Sequence, residues 1–454
     1  MLGFMKTKRF FRFLLFGCLF VCSSSVILLS DARSEANRPN VVLFFTDDQG
    51  TLDLGSYGAP DLFTPNLDGL AKAGTRFTRF YVAAPVCSPS RASLLTGRHH
   101  VRAGVPGNVS SQAGHAGMPT EEITMAEVLR TVGYRTALFG KWHLGTIPEC
   151  DPIGQGFDEF FGHKAGCIDN YSHYFYWSGP HFHDLWRNRE EVHEDGIHFT
   201  KLMVREGKRF IRENKDRPFF LFMPFNLPHY PPQAPVEYRK WYESVDEPRK
   251  SYAASISWVD HAVGEILTEL EQLGLEEETL VIFLSDHGHS TEERTGFSGG
   301  YAGDLRGAKF SLFEAGIRVP CIMRFPGKIA KGEVRSQVAS SLDIFPTVAE
   351  WCGVDLPERT MDGMSLSKVL ASPQAPSPHE QLFWLLGNQW AIRDGSWKLV
   401  VNARDTDGRP VSGDEKVFLS DLRQDDTERI NLAAQHPDLV RLLTKMHEIW
   451  RKDL

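Results

Sequence analysis

The chain lacks a surplus of positive charge. Its 50 lysines and arginines face 58 aspartates and glutamates, leaving a net charge of −8 and a pI near 6.1, which argues against a broad basic surface for nucleic acid. An anionic substrate is not excluded, because a few basic side chains and a metal ion make one pocket positive on a negative protein. Internal repeats of the solenoid type are also absent. With 42% hydrophobic and 24% charged residues, the composition is neither that of a disordered chain nor that of a multispan membrane protein. At 454 residues the chain is long enough for one large domain and a smaller one.

An apolar run from Phe13 to Leu29 follows Lys6, Lys8, Arg9 and Arg12 and precedes small residues near Ala32. It is barely long enough to span a bilayer, so residues 1–35 are expected to be a secretory signal peptide rather than a short anchor. A secreted or periplasmic protein follows. A lipoprotein reading of Leu15-Phe16-Gly17-Cys18 is weak because Cys18 falls too early in the run. Cysteine is scarce, and removing Cys18 and Cys22 with the leader leaves Cys87, Cys150, Cys167, Cys321 and Cys352. An odd count suits one reactive residue plus up to two bridges, and Cys150 with Cys167 closes the shortest loop.

The chemistry centres on Cys87-Ser88-Pro89-Ser90-Arg91-Ala92-Ser93-Leu94-Leu95-Thr96-Gly97. Pro89 fits the opening turn of a helix, where its missing N–H would have had no partner, and Gly97 ends it. Cys87 then sits at the positive end of that helix, near Arg91, where a thiolate is favoured. A buried, inert thiol is the plainer reading of such a cysteine taken alone.

Two continuous apolar runs of strand length, residues 40–46 and 279–285, end in Asp47-Asp48 and in Asp286-His287. Such runs read as buried parallel strands, and ligands gather beyond the carboxyl ends of parallel strands. The two acidic pairs are therefore expected to be neighbours. Three carboxylates and a histidine converging without opposing charge would repel, and a divalent cation resolves the conflict. Oxygen-rich ligation favours Ca²⁺ or Mg²⁺. A single Asp-Asp after a strand is more often a turn or helix cap than a metal site, and it is the pairing of the two strand ends together with Cys87 that points to ligands.

Residues 134–140 form another expected strand, leading into Lys141-Trp142-His143-Leu144-Gly145. If that strand continues, Lys141 and His143 point to one face. A further apolar strand over 218–224 delivers Asn226, Pro228 and His229 at its end. Helices are expected over 64–74, 125–132 and 251–273. The segment 167–186 is dense in aromatics and histidine, among them Tyr171, His173, Tyr174, Trp177, His181 and His183. It suits a sugar or aryl subsite as well as a packed structural loop, while its irregular histidine spacing does not suggest a second zinc site. Residues 290–304, glycine-rich with Glu292, Glu293 and Arg294, are expected to form a mobile pocket rim.

Cys87-Ser88-Pro89-Ser90-Arg91, the acidic strand ends, Gly140-Lys141-Trp142-His143-Leu144-Gly145, His229 and the stretch from Arg306 through Lys309 to Pro320 occur in an order that closely resembles the type I, formylglycine-dependent sulfatases of the alkaline phosphatase superfamily. The resemblance implies that a maturation enzyme oxidises Cys87 to formylglycine, whose hydrated aldehyde attacks the sulfur of a sulfate ester. It implies Asp47, Asp48, Asp286, His287 and the modified Cys87 as metal ligands, Lys141, Lys309 and His229 as sulfate or leaving-group contacts, and Arg91 and His143 as partners of the formylglycine. His229, assisted by Asp286, would protonate the departing alcohol, and His143 would release sulfate. The implied fold is α/β: a large, mixed, mostly parallel sheet flanked by helices, with a smaller C-terminal antiparallel sheet and helix.

A proline- and serine-rich linker at 371–377 divides a catalytic region over 36–370 from a C-terminal part over 371–454. Strands are expected there over 381–386, 389–393, 396–400 and 417–419, with a helix over 437–451. The implied activity is an exported sulfatase acting on a sulfated carbohydrate and on small aryl sulfates. A phosphodiesterase or phosphonate monoester hydrolase, and a sulfated-glycan-binding protein with an unconverted Cys87, are the alternatives.

Overall fold

The strand Asn40–Asp47 is buried along its whole length, which accounts for its unbroken apolar run: both of its faces are covered. Val41, Leu43 and Phe45 join one hydrophobic cluster while Val42 and Phe44 join another, so the sheet lies between two cores. The computed structural model describes residues 38–296, 299–406 and 416–454. The leader expected over 1–35 lies outside them, and among the described residues no helix is long and apolar enough to cross a membrane.

In the large sheet, Asn40–Asp47 is flanked by Thr279–Ser285 and Phe219–Pro228, and Phe219–Pro228 is followed by Arg135–Lys141 and Glu159–His163, all parallel. Arg318–Arg324 runs antiparallel to Thr279–Ser285 and to Thr75–Tyr81, which makes the sheet mixed. Pairing runs from Asn40 opposite Thr279 to Thr46 opposite Ser285, and Asp47 lies opposite Pro228. Neighbouring parallel strands thus end at one edge, with Asp47-Asp48, Asp286, His229 and Lys141 emerging side by side. This is the observed α/β architecture, helices such as Phe199–Asn214 and Arg249–Gln272 lying against the sheet.

Gln381–Leu386, Gln389–Asp394, Trp397–Val401 and Val417–Asp421 form a separate antiparallel sheet packed by the helix Pro437–Lys452. Two local expectations change. The strand Arg135–Lys141 stops before His143, whose φ of 58° turns the chain into the left-handed region, so strand alternation does not govern that side chain. The five described cysteines are all free and buried. Cys150 packs at Gly145 while Cys167 belongs to a small cluster with Ala165 and Phe175, so the expected Cys150–Cys167 bridge is absent.

Candidate active site

The helix Cys87–Thr96 is capped by Gly97 in the left-handed conformation, as its sequence requires, and every residue in it is buried. Ser88 ties its first turn to the neighbouring loops: its hydroxyl donates to the His143 carbonyl at 2.7 Å and accepts from the Val109 N–H at 3.0 Å. Four residues on, Arg91 reaches under the strand ends. Its Nη2 lies 2.9 Å from Asp286 Oδ2 and 3.4 Å from Asp47 Oδ2, and its Nη1 donates to the Lys141 carbonyl at 3.1 Å.

Cys87 meets the acidic residues directly, with Sγ 3.6 Å from Asp47 Oδ1 and 3.4 Å from His287 Nε2. His287 in turn lies 3.4 Å from Asp48 and 3.3 Å from Asp286. Asp48 takes a φ of 63°, and its N–H donates to Asp286 Oδ1 at 3.3 Å. Ser285, which no motif singled out, accepts from the Gln49 N–H at 3.2 Å and donates to the His287 carbonyl at 2.9 Å, locking the two strand exits together. Lys141 Nζ pairs with Asp47, while Lys309 Nζ sits 2.8 Å from Asp48 Oδ1. All of the candidate metal, sulfate and nucleophile positions therefore converge.

The electrostatics modify the expectation of bare carboxylate repulsion, because the chain brings Arg91, Lys141 and Lys309 against Asp47, Asp48 and Asp286. Burial disfavours the Asp47 anion, yet Lys141, His229 and Arg91 together hold its carboxyl well below the usual range. Burial wins at Asp48, which is raised, and at Asp286, where burial and the Asp47 charge push the carboxyl up to about 6. Against burial and Asp47, the charges of Lys141, Lys309 and His287 bring the Cys87 thiol down to about 6. Burial opposes the His287 cation, but Asp286 and Cys87 bring it up to about 9.

One potential ligand atom from each of Asp47, Cys87, Asp286 and His287 lies within 4.8 Å of the other three, and Asp47, Asp48 and His229 form an overlapping group. A carboxylate-rich donor set of this kind fits a hard divalent cation, better still with oxygen in place of sulfur at position 87. The three basic and three acidic side chains balance, so a divalent ion would leave net positive charge to face an anionic ester.

Two histidines flank this centre. His143 Nε2 faces the Val109 carbonyl at 3.2 Å and must donate to it, which leaves Nδ1 as a buried lone pair without a partner. Burial, with Lys141 and Arg91, keeps this imidazole neutral, its pKa well below the usual value. His229 donates from Nδ1 to the Tyr230 carbonyl at 2.8 Å and turns Nε2 toward Asp48 at 3.8 Å. Asp48 rather than Asp286 is thus the carboxylate beside His229, because Asp286 is turned away onto Arg91 and His287. Burial and Lys309 lower His229 to about 3.

The aromatic segment folds into a hairpin of Tyr174–Phe175 with Phe182–His183, and Trp177 near its tip lies 5.8 Å from the His229 ring. The glycine-rich rim is anchored at Tyr301 and Gly299 by Asp53 and Arg249, while residues 297–298 lie outside the described positions. Lys309 is held by its neighbours: Phe310, at φ 69°, donates its N–H to the Pro85 carbonyl at 2.8 Å, and its own carbonyl accepts from Gln389 Nε2 at 2.7 Å. Gln389 was not visible as part of the site, and Ser88 stood in the motif without a role, since each acts through a main-chain contact with a residue distant in sequence.

Comparison with known proteins bears on this geometry. The Sulfatase family model matches residues 39–354, and the model described as N-sulphoglucosamine sulphohydrolase, C-terminal, matches residues 308–452. Arylsulfatase A of Homo sapiens is 35% identical, over 93% of this chain and 90% of its own length. N-acetylgalactosamine-6-sulfatase of Rattus norvegicus is 34% identical, over 81% of this chain and 72% of its own. The crystal structure of Ps i-CgsB in complex with k-i-k-neocarrahexaose superimposes with a TM-score of 0.82 at 30% identity, covering 91% of this chain and 92% of that one.

Proposed function

We propose that this chain, which belongs to the sulfatase family and is a sulfuric ester hydrolase, is exported and removes sulfate from a sulfated carbohydrate at the cleft around Cys87. The meeting of Cys87 with Asp47, Asp48, Asp286 and His287 at one sheet edge, ringed by Arg91, Lys141 and Lys309, carries this reading. The carbohydrate class draws support from the oligosaccharide bound to Ps i-CgsB and from the aromatic hairpin beside His229. Small aryl sulfates are expected as further substrates. On this reading residues 36–370 form the catalytic part and 371–454 its C-terminal support.

Asp47, Asp48, Asp286, His287 and position 87 would hold a Ca²⁺ or Mg²⁺ ion, which supplies charge stabilisation at the sulfate oxygens. Oxidation of Cys87 by a maturation enzyme would give formylglycine, which supplies the nucleophilic oxygen. The chain's own residues do the rest. Lys141 and Lys309 neutralise sulfate oxygens, an interaction strengthened by their burial. Arg91 fixes the helix against both strand ends and orients position 87. His229 Nε2 delivers a proton to the departing alcohol oxygen, its proton affinity raised once the ester's negative charge lies beside it. His143 Nδ1, an unprotonated lone pair, accepts the proton lost as sulfate leaves.

Mass spectrometry of the peptide spanning position 87, from protein made in a maturation-competent host, is the direct test. The aldehyde is expected, and an unmodified thiol throughout would overturn the scheme. Turnover on a panel of regiochemically defined sulfated sugars, compared with an aryl phosphodiester, separates this reading from a phosphodiesterase.

A further inference from the structure

The hairpin that overhangs His229 is closed at its base by side chains for which the sulfatase chemistry has no use. His173 and His183 are buried, 0% and 8% exposed. His173 Nε2 faces the Ile197 carbonyl at 3.1 Å, and His183 Nδ1 faces a Glu191 carboxylate oxygen at 2.9 Å. Those oxygens only accept, so each of these nitrogens must carry the proton. The opposite nitrogens, His173 Nδ1 and His183 Nε2, have no hydrogen-bond partner, and each is a lone pair whenever its ring is neutral.

The two buried imidazoles stand side by side. Their rings stand 6.1 Å apart at an interplanar angle of 80°, and Asp195 Oδ1 lies 4.0 Å from His183 Nε2. One potential ligand atom from each of His173, His183 and Asp195 lies within 4.8 Å of the others. His173 is held at a φ of 59° by its N–H to the Asp169 carbonyl and by its carbonyl to the Asp184 N–H. The Asp195 side chain is 62% exposed. Ring nitrogens whose tautomers are fixed by a carbonyl and a carboxylate behind them have the outer-sphere support typical of metal-ligating histidine. Burial also keeps His173 neutral, as a ligand must be.

We infer that His173, His183 and Asp195 form a second metal site, taking a divalent transition ion of the zinc class, which clamps the base of the hairpin that carries Trp177. Two imidazoles and one carboxylate, with the remaining positions left to water, suit Zn²⁺ better than the hard cation expected at the sheet edge. Glu191, which with His183 and His193 makes an overlapping group of potential ligands, is assigned here to the support of His183 at Nδ1. The inference is independent of the reading given to Cys87.

The test uses the full chain in excess Ca²⁺, with Zn²⁺ measured by equilibrium dialysis and Co²⁺ as a visible-absorption probe. One equivalent of Zn²⁺ is expected, raising the melting temperature. His183→Ala and Asp195→Asn should each weaken uptake by at least about tenfold, and Glu191→Gln by about tenfold through the lost support of His183. Asp195→Asn, at an exposed position, should melt like the parent chain when Zn²⁺ is withheld. Failure of the parent chain to take up one equivalent, or uptake unchanged in both His183→Ala and Asp195→Asn, would overturn the assignment.

Discussion

Lys398 offers a sharp test of how the C-terminal sheet supports the site. Its ammonium is fully buried, 3.0 Å from Glu314 Oε1 and 3.0 Å from Glu428 Oε1. Glu428 also accepts the Glu314 N–H at 2.6 Å, and Glu314 lies five residues beyond Lys309. Despite burial, Lys398, Arg318 and Arg393 hold the Glu314 carboxyl down to about 2. At Glu428 burial outweighs Lys398 and, with the Glu314 charge, pushes the carboxyl up to about 7. Lys398→Met keeps much of the side-chain volume and removes the cation, leaving Glu428 buried and unpaired. Breaking a buried ion pair in this way costs ~3–5 kcal/mol. An acid whose folded pKa lies above its unfolded value favours folding below the unfolded value and loses that contribution as pH rises through the folded one. Removing Lys398 raises Glu428 further, so the deficit should be larger at about pH 8 than at about pH 5. Urea unfolding at both pH values measures it, and Glu428→Gln in the Lys398→Met background should restore most of the alkaline loss. A deficit that ignores pH and is not rescued would refute the electrostatic argument and leave lost packing as the cause.

Other outcomes follow from the same geometry. Cys87→Ala should lower sulfate ester turnover by at least about 10³-fold with the fold intact by circular dichroism, since only the nucleophile is removed. His229→Ala should lower kcat by about 10²–10⁴-fold for alkyl or sugar sulfates and much less for aryl sulfates with good leaving groups, read from kcat against leaving-group pKa. Chelation should abolish turnover and added Ca²⁺ or Mg²⁺ restore it, measured with an aryl sulfate. His198 donates to the Gln233 carbonyl and accepts from the Thr200 and Trp258 N–H groups, so it must stay neutral, and burial lowers it to about 4. Its contribution is present above about pH 6.5 and lost as pH falls toward 4, roughly 3 kcal/mol in all, seen as a falling urea midpoint.

The strands of the sheet edge were legible because the apolar residues buried on both faces are continuous, and the acidic residues that follow them break the run. Thr279–Ser285 and Gln381–Leu386 appear with the bounds their sequence suggests. Lys309 was legible only through family resemblance, as its loop has no periodicity and depends on Gln389 for position. The bridge between Cys150 and Cys167 misled, because nearness in sequence says nothing about which cluster each thiol packs in. The grouping of His173 and His183 was not legible from their spacing. Regular spacing brings side chains together on one helix, whereas His173, His183 and Asp195 are gathered by a hairpin and the loop beyond it. The charge balance by Arg91, Lys141 and Lys309 was hidden for the same reason, since Arg91 and Asp286 are 195 residues apart.

The latch between Gln389 and Phe310, with Ser311 donating to the Arg404 carbonyl at 2.7 Å, has an outcome for biosynthesis. Every other side chain of the cleft is already on the ribosome-released portion of a nascent chain before the final sheet emerges. The Lys309 arm, already met by Asp48 and by the Pro85 carbonyl, gains its remaining hold through Gln389 only when that last-made portion docks. A polypeptide truncated after the linker would therefore carry nearly the full complement of reactive groups with the Lys309 arm less firmly held, so the order of synthesis leaves the tightening of the cleft to the end.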